Sequence, residues 1–174
     1  MLETERLRFR KLTWDDLDEM VEMRSDPDVA RYMGGEKIRT REFNETRLKF
    51  YLECYDKFGF GMMATIYKPD DKLIGWSGLQ PLEDTGEVEV GYGMIKKYWG
   101  RGIGEEAARA WLDYGFRVAN LERIVAVASP ENTGSWRIME KCGMKYEKTE
   151  KHYGENLVFY AVARDEFLLH NALA

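Results

Sequence analysis

Hydrophobic residues along this chain follow two different spacings, which predict two kinds of element. Alternating runs predict β-strands, and the three clearest are "ERLRFRKL", "FGMMATIY" and "KLIGWSGLQ". The segment "KPDD" between the last two is typical of a tight turn, so we expect those strands to form an antiparallel hairpin. Apolar residues three and four positions apart predict helices over about residues 13–24 and 40–57.

Turn-forming residues mark the ends of the N-terminal helices. Thr13 precedes "WDDLDEMVEMR" and is a good N-cap, because its hydroxyl can accept a hydrogen bond from the first turn. Asp26-Pro27 predicts the start of a further short helix, and Gly34-Gly35 predicts its end. In the longer helix that follows, Arg47 interrupts an apolar stripe.

The second half of the chain continues the alternation of strands and helices. The run "EVEVGYGMI" predicts a third strand beside the hairpin, and the sequence after it predicts a long helix that ends near Asn120. The unbroken apolar run "RIVAVAS" is typical of a central strand covered on both faces. A short helix from about Thr133 to Cys142 and two strands, at about residues 145–152 and 156–165, complete the pattern.

The predicted elements occur in the order β-α-α-α-β-β-β-α-β-α-β-β. This order indicates an α+β fold in which helices flank one mixed, mostly antiparallel sheet. The sequence contains no repeat, low-complexity tract or linker, so we expect residues 1–174 to form a single domain.

The composition favours a soluble globular protein, since 44% of the residues are hydrophobic and 33% are charged. No apolar run reaches the length of a membrane span, and the N-terminus lacks the apolar stretch of a secretory signal. We therefore expect a cytoplasmic protein without a membrane partner. The formal net charge of -5 argues against general nucleic-acid binding.

The chain contains two cysteines, Cys54 and Cys142. Neither has a His or Cys neighbour at the spacing of a metal site, so we predict neither a metal centre nor a disulfide framework. Both are interpreted as reduced residues of the core.

A glycine-rich segment, "YWGRGIGEEAARAW", opens the predicted long helix. The first N–H groups of a helix lack intrahelical acceptors and lie at the positive end of its dipole, so they can bind an anion such as phosphate. Gly102 and Gly104 would let that anion approach the backbone, and Arg101 would add charge. Glu105 and Glu106 must then point away from it. A tight strand-to-helix turn would explain the glycines without a ligand.

Two familiar phosphate-binding motifs fit this segment poorly. Gly102-x-Gly104-x-x-Ala107 formally matches a dinucleotide fingerprint, with Glu122 at the place of its acidic residue. However, that motif should follow the first strand of a parallel unit, whereas three antiparallel strands precede it here. A Walker loop is excluded because no Gly-Lys-Ser/Thr follows.

The strand before the glycine segment has two unlike faces. Alternation places Val88, Val90, Tyr92 and Met94 on a core face and Glu87, Glu89, Gly91 and Gly93 on the other. The second face holds a carboxylate beside two positions without a side chain, which would leave space for a ligand. A bulge or a sheet edge would explain the same glycines.

In four segments the chain resembles the GNAT superfamily of acetyl-CoA-dependent N-acetyltransferases, and within it the RimJ/RimL-type branch. They are "ETERLRFRKLTWDDLDEM", "EVGYGMIKKYWGRGIGEEAA", "SPENTGSWRIMEKCGM" and "EKHYGENLVFYAV", and together they extend over essentially the whole chain. Trp99 stands where the wider superfamily has Gln or Arg, and Met144 stands where Phe is usual. The resemblance implies the GNAT fold, with two central strands splayed apart at the site of acetyl-CoA.

The resemblance also implies which residues hold acetyl-CoA. Its pyrophosphate would bind the N–H groups of the glycine segment, and its pantetheine arm would lie between the strands at 87–95 and 123–129. Asn132 would bond the pantetheine amides, although a helix N-cap would look the same. The implied coenzyme-binding residues are Met94, Ile95, Arg101, Gly102, Ile103, Gly104, Glu105, Glu106, Asn132 and Ser135.

For the chemistry, Ser135 occupies the position from which the branch is thought to protonate the departing thiolate, and Met139 replaces the tyrosine of many relatives. The attacking amine must lose a proton, and Glu89 could take it directly or through a water. Glu150 matches a second proposed base by its spacing to the last turn, but an ordinary solvated carboxylate would fit equally.

His152 and Tyr153 could line the mouth of the acceptor site, and His152 could equally be a strand residue without a function.

Three functions remain open at this point. The first is direct acetyl transfer to an amine in a ternary complex, because no activated Cys or Ser indicates a covalent intermediate. The second is a non-catalytic acyl-CoA-binding module, which Met139 favours, and the third is a dinucleotide-dependent oxidoreductase.

The acceptor could be a ribosomal-protein α-amine, a peptide, an amino acid, a polyamine or an aminoglycoside. By the same resemblance, residues 27–40 and the closing hairpin would form its pocket. The resemblance also leaves a homodimer open, because some relatives form one and bulky aromatic edges could support it.

Overall fold

A seven-stranded sheet forms the centre of the fold in a computed structural model that describes residues 2–172. The strands lie in the order β1-β2-β3-β4-β5-β7-β6, and every neighbouring pair is antiparallel except β4 and β5. The strand bounds are β1 Leu7–Lys11, β2 Met62–Tyr67, β3 Lys72–Pro81, β4 Val88–Met94, β5 Arg123–Ala128, β6 Lys145–His152 and β7 Glu155–Ala163.

Helices cover both faces of this sheet. Three lie between β1 and β2, one follows β4, one follows β5, and one ends the described chain. Their bounds are α1 Leu17–Ser25, α2 Pro27–Ala30, α3 Arg41–Phe58, α4 Ile103–Arg117, α5 Thr133–Lys141 and α6 Arg164–Ala172.

Two hydrophobic cores hold the layers together. On one face, the apolar stripe of α4 packs on the sheet, with Trp111 and Phe116 fully buried beside Phe9 and Ile124. On the other face, α1 and α3 pack on β2 and β3. The buried residues of that second core are Leu12, Leu17, Met20, Met23, Val29, Leu48, Tyr51, Met62, Ala64, Ile66 and Trp76. The mixed, mostly antiparallel sheet predicted from the sequence is therefore confirmed.

The predicted hairpin and central strand are also confirmed. β2 and β3 pair directly, and the turn between them contains Lys68–Asp70. β5 lies between β4 and β7, and its Ile124 and Val125 are buried in two different clusters, as expected for a strand covered on both faces. Cys54 and Cys142 are free and buried.

The ends of several elements differ from the sequence prediction. The helix predicted to end at Gly34-Gly35 already stops at Ala30, and both glycines adopt positive φ further along the chain. The last strand ends at Ala163, and α6 begins where the strand was expected to continue. Asp165 and Glu166 in the first turn of α6 are a favourable helix start that the strand prediction overlooked.

None of the helices within residues 2–172 combines the length and the apolar character needed to cross a membrane. Within the same residues, no three His, Cys, Asp or Glu side chains gather in a group that could hold a metal ion.

Candidate active site

The parallel strands β4 and β5 separate almost as soon as they meet. They pair at a single position, Glu89 with Val125, and have no further pairing toward their C-terminal ends. Continuous pairing would satisfy the backbone groups of both strands, so the break leaves a gap in the middle of the sheet. The implied splay is therefore present, and two adjoining cavities lie along it.

The first, the glycine-loop cavity, has a volume of about 560 Å³ and lies between the N-terminal ends of α4 and α5. Gly100 and Gly102 both adopt positive φ, which turns the chain sharply into α4 at Ile103. Of the residues implied by the resemblance, those that line this cavity are Met94, Gly102, Ile103, Gly104, Glu105, Asn132 and Ser135.

Three implied coenzyme residues are placed elsewhere. The N–H of Glu106 already donates to the carbonyl of Gly102 at 3.0 Å, so it is not free for a phosphate. The N–H of Ile95 donates to the carbonyl of Ile74 at 2.9 Å, and its side chain packs into the core. The guanidinium of Arg101 lies over the ring of Tyr98, and Arg101 does not line the cavity. Ile95, Arg101 and Glu106 therefore do not line the cavity, and their part in coenzyme binding stays a prediction.

The carboxylate of Glu106 does point away from the cavity, as expected. It accepts hydrogen bonds from Thr4 Oγ1 at 2.5 Å and from Arg6 Nε at 2.6 Å, and so ties the N-terminal segment to α4. Glu105 is held by Arg109 and Lys141 instead. Arg137 and Lys141 of α5 also line the cavity and add positive charge that the sequence analysis missed. Their spacing of four residues on one helix was the available signal.

The second, the Glu89 cavity, has a volume of about 400 Å³ and lies on the other side of the gap. Glu89 is only 5% exposed, and its carboxylate accepts short hydrogen bonds from Gln80 Nε2 and Tyr153 Oη. Burial raises the pKa of the Glu89 carboxyl above its ordinary value, although these hydrogen bonds and Arg47 act in the opposite direction. A base with a raised pKa is closer to the range useful at neutral pH.

The bare face of β4 is not an open floor for a ligand. A β-carbon at Gly91 would clash with Met62, and one at Gly93 would clash with the ring of Trp76. The two glycines thus make room for side chains of β2 and β3, and they also border the cavities: Gly91 lines the Glu89 cavity and Gly93 lines the glycine-loop cavity. Glu89 lines the first of these at the end of the same face.

The two cavities meet at Ser135. Both are lined by Tyr32, Met33, Tyr92, Val127, Ala128 and Ser135. The hydroxyl of Tyr92 donates to the carbonyl of Ser135 at 2.9 Å. In turn, the hydroxyl of Ser135 donates to the Tyr92 hydroxyl oxygen at 3.4 Å. Tyr92 was assigned to the core face of its strand, but its hydroxyl reaches this junction. Burial raises the pKa of Tyr92, so it keeps its proton at neutral pH.

Asn132 performs the structural role considered for it. Its side-chain Oδ1 accepts the N–H of Ser135 at 3.2 Å and caps α5. It also lines the glycine-loop cavity, and its amide N–H₂ remains a donor for that space.

Glu150 and His152 do not line either cavity. The carboxylate of Glu150 lies 2.8 Å from Lys148 Nζ and 3.0 Å from His152 Nε2, and the hydrogen bond from Lys148 lowers its pKa. His152 is buried between Glu150 and Glu83. Both residues thus lie outside the lining of the two cavities, so this geometry does not support Glu150 as a base, and that role stays a prediction. Tyr153 lines the Glu89 cavity as predicted.

The loop after α1 and the closing hairpin both reach the Glu89 cavity. Tyr32, Lys37 and Ile38 contribute to its wall from the first segment, and Glu155 and Leu157 contribute from the second. These are the segments expected to form an acceptor pocket.

The fold and the paired cavities define a class of acyl-transfer proteins, and the comparisons with known proteins agree. The family described as "Acetyltransferase (GNAT) domain" matches residues 6–145. The chain is 30% identical over 153 residues to the uncharacterized N-acetyltransferase p20 of Bacillus licheniformis, covering 87% of this chain and 86% of the relative. This chain belongs to the GNAT acetyltransferase family, and it is an N-acetyltransferase.

Solved structures show the same architecture. A GNAT-family acetyltransferase from Bacillus anthracis is 31% identical, with a TM-score of 0.75, and the match covers 94% of this chain and 98% of that one. A spermidine N-acetyltransferase from Vibrio cholerae, solved with CoA and spermine, is 18% identical with a TM-score of 0.76, over 95% and 99% of the two chains. At that identity the second likeness shows the fold alone. The dinucleotide interpretation is wrong, because the glycine turn follows the fourth strand of the sheet.

Proposed function

We propose that the protein transfers the acetyl group of acetyl-CoA directly to a primary amine, with the coenzyme in the glycine-loop cavity and the amine in the Glu89 cavity. The observation that carries this proposal is the junction of two cavities at a break in β4–β5 pairing, with a buried carboxylate on the acceptor side. Resemblance to the RimJ/RimL branch favours an α-amine among the possible acceptors.

The glycine-loop cavity suits acetyl-CoA on three grounds. Ile103, Gly104 and Glu105 present first-turn N–H groups at the positive end of α4, which favours a pyrophosphate. Arg137 adds positive charge at the same cavity, and Lys141 offsets the charge of Glu105, with which it is paired. The splayed strands leave backbone groups available for the amides of a pantetheine arm. Bound there, acetyl-CoA supplies the thioester whose acyl carbon an amine can attack.

The chain would act on protons at both ends of this transfer. Glu89 takes a proton from the acceptor ammonium at a carboxylate oxygen, directly or through a water, so that the amine nitrogen is free to attack. Ser135 Oγ, linked to the Tyr92 hydroxyl, is placed to give a proton to the departing sulfur, and the second proton that the attacking nitrogen loses as the amide forms restores the hydroxyl. Both hydroxyls lie at the junction of the cavities, where the sulfur and the amine would approach each other.

Free-thiol release from acetyl-CoA in the presence of amines tests the proposal. The panel contains an N-terminal peptide, an amino acid, a polyamine and an aminoglycoside, and we expect amine-dependent release with at least one of them. Ser135→Ala and Tyr92→Phe separate the two candidate acids, because the residue that donates the proton should lower kcat by about 10² or more on general-acid arguments. Coenzyme binding without thiol release for any amine would favour the non-catalytic module and contradict the proposal.

A further inference from the structure

Two arginines form one side of the Glu89 cavity. Arg24 extends from α1 and is only 3% exposed, and Arg47 extends from α3 and is half-buried. Arginine is seldom buried without a carboxylate partner, because removal of its charge from water is costly. The partners of these two side chains therefore decide what the cavity can bind.

Arg24 has neutral partners. Its Nη1 donates to Asn44 Oδ1 at 3.0 Å, its Nη2 donates to Tyr51 Oη at 3.1 Å, and its guanidinium lies 4.2 Å from the centre of the Trp76 ring. Its Nε is buried and has no hydrogen-bond partner. Within residues 2–172, no carboxylate lies at ion-pair distance from Arg24, so its charge is not neutralised by the protein.

Arg47, in the described part of the chain, also lacks a carboxylate partner. Its Nη2 donates to Gln80 Oε1 at 3.1 Å and lies 3.4 Å from Tyr51 Oη, and among the residues described it too makes no ion pair. The effect of both arginines is visible at Tyr51. Burial alone would raise the pKa of that hydroxyl, but the two guanidiniums outweigh burial and lower it.

The charges of the cavity do not balance. The exposed Lys37 and Glu155 at its wall offset each other, which leaves the buried Arg24 and Glu89 and the half-buried Arg47. With Glu89 ionised, these three side chains together carry an excess positive charge. This excess is larger when Glu89 is protonated. A guanidinium with free donors matches a carboxylate, to which it can donate two parallel hydrogen bonds.

We propose that Arg24 and Arg47 form a carboxylate subsite, and that the acceptor is an amine of amino-acid size that itself carries a carboxylate. The proposal rests on the proposed function for the role of the amine, and the volume of about 400 Å³ is that of a small-molecule site.

A chain of hydrogen bonds relates this subsite to the base. It runs from Arg24 through Tyr51 and Arg47 to Gln80, and Gln80 donates to Glu89. An acceptor with its carboxylate at the arginines would thus direct its amine toward Glu89. The same positive charge disfavours an ammonium ion, which helps to keep the amine neutral and works against a polyamine.

Equilibrium binding by calorimetry tests the subsite without depending on catalysis. The probes are L-glutamate and L-glutaminamide, which share an amine and nearly the same size but differ in two carboxylates, and spermidine as a polycation. Each is titrated into the protein with and without coenzyme A. The variants are Arg47→Gln and Arg24→Met, and Lys49→Gln is the control, because it removes the same charge from the exposed face of α3.

We expect the wild-type protein to bind L-glutamate at least about tenfold more tightly than L-glutaminamide, since hydrogen bonds to charged groups have this strength. Arg47→Gln and Arg24→Met should bring the ratio close to one, and Lys49→Gln should leave it unchanged. If Arg24→Met fails to fold, Arg47→Gln alone decides the result.

A wild-type ratio near one, tighter binding of spermidine, or an unchanged ratio in folded Arg47→Gln would overturn the subsite, even if acetyl transfer to another amine is observed. Selective binding of L-glutamate supports the subsite even if no thiol is released, in which case the proposed function alone fails.

Discussion

Replacement of Glu89 by glutamine separates a catalytic base from a structural carboxylate. Glutamine has nearly the same shape, and its carbonyl oxygen can accept the hydrogen bonds that Gln80 and Tyr153 now donate to Glu89. It cannot take a proton from an ammonium ion. General-base catalysis is typically worth about 10² to 10⁴ in rate, so kcat should fall by that order while acetyl-CoA affinity stays nearly unchanged.

The pH dependence gives this prediction its sign. A higher pH deprotonates more of the acceptor amine in solution, so the Glu89→Gln variant should recover part of its rate as the pH rises. In the wild-type protein, the pKa of Glu89 is raised, so the ascending limb of kcat/KM that reports Glu89 should lie above the range of an exposed glutamate. That limb should be absent in the variant.

The same raised pKa makes the stability of the wild-type protein fall as the pH rises, whereas its activity rises. Because the folded protein binds the Glu89 proton more tightly than the unfolded chain does, the contribution of this group is fully present below the unfolded pKa and is lost as the pH rises through the folded pKa. Glutamine has no such loss, so the free energy of unfolding of the variant should gain on that of the wild type across this window. Each pH unit inside it is worth at most about 1.4 kcal/mol.

The assays are free-thiol release with an active amine and urea unfolding, both as a function of pH. Glu87→Gln is the matched control, since Glu87 lies two residues earlier on the same face and is paired with Arg123 outside both cavities. A Glu89→Gln variant with full kcat across the pH range would refute the assignment of the base. Reduced stability with no recovery of rate at high pH would show a purely structural role.

Three further predictions concern separate parts of the molecule. Gly104→Val should weaken acetyl-CoA binding, measured by calorimetry, at least about tenfold, or roughly 1.4 kcal/mol. The reason is that a β-carbon at this position would lie 2.9 Å from Ile138 Cδ1 in the wall of the glycine-loop cavity. Unchanged affinity in a folded variant would exclude that site. Glu150→Gln should keep kcat, measured by free-thiol release, within about twofold of wild type, because Glu150 does not line the Glu89 cavity. Loss of a general base would lower kcat by about 10² or more, and a decrease of that size would show that Glu150 takes part in catalysis. Asp16→Asn should lower the free energy of unfolding by about 1–3 kcal/mol at neutral pH, because it breaks the paired hydrogen bonds to Arg10. Although burial opposes it, the pairing with Arg10 lowers the pKa of Asp16, so this difference should shrink as the pH falls below about 4, and an undiminished difference in acid would contradict the reasoning.

Sequence patterns were most informative where local spacing alone determines structure. The period of Ile103, Ala107, Trp111 and Phe116 determines which side of α4 is buried, and all four are in the core. The alternation along β4 separated Glu89 from the core residues on the other face, and its candidacy as a base followed from that position. The two segments that the resemblance to the family predicts for the acceptor pocket both line the Glu89 cavity, although no spacing along the chain brings them together.

Residues that converge from distant elements could not be predicted in this way. Arg24 and Arg47 both reach Tyr51 because α1 and α3 pack side by side over the sheet, and no spacing along the chain encodes that arrangement. The interruption of the apolar stripe by Arg47 was a local signal of something unusual, but not of its partner. Tyr92 packs against the core as its strand position predicts, but that position does not show that its hydroxyl reaches Ser135.

The most direct measurement of the central claim is a single turnover with enzyme in excess over acetyl-CoA, in which free thiol and the mass of the intact protein are followed together. The account predicts that thiol appears only when an acceptor amine is present, that its amount equals that of the acetylated amine, and that the protein mass never changes. Thiol release without an amine, accompanied by an acetylated protein, would contradict direct transfer between the two cavities.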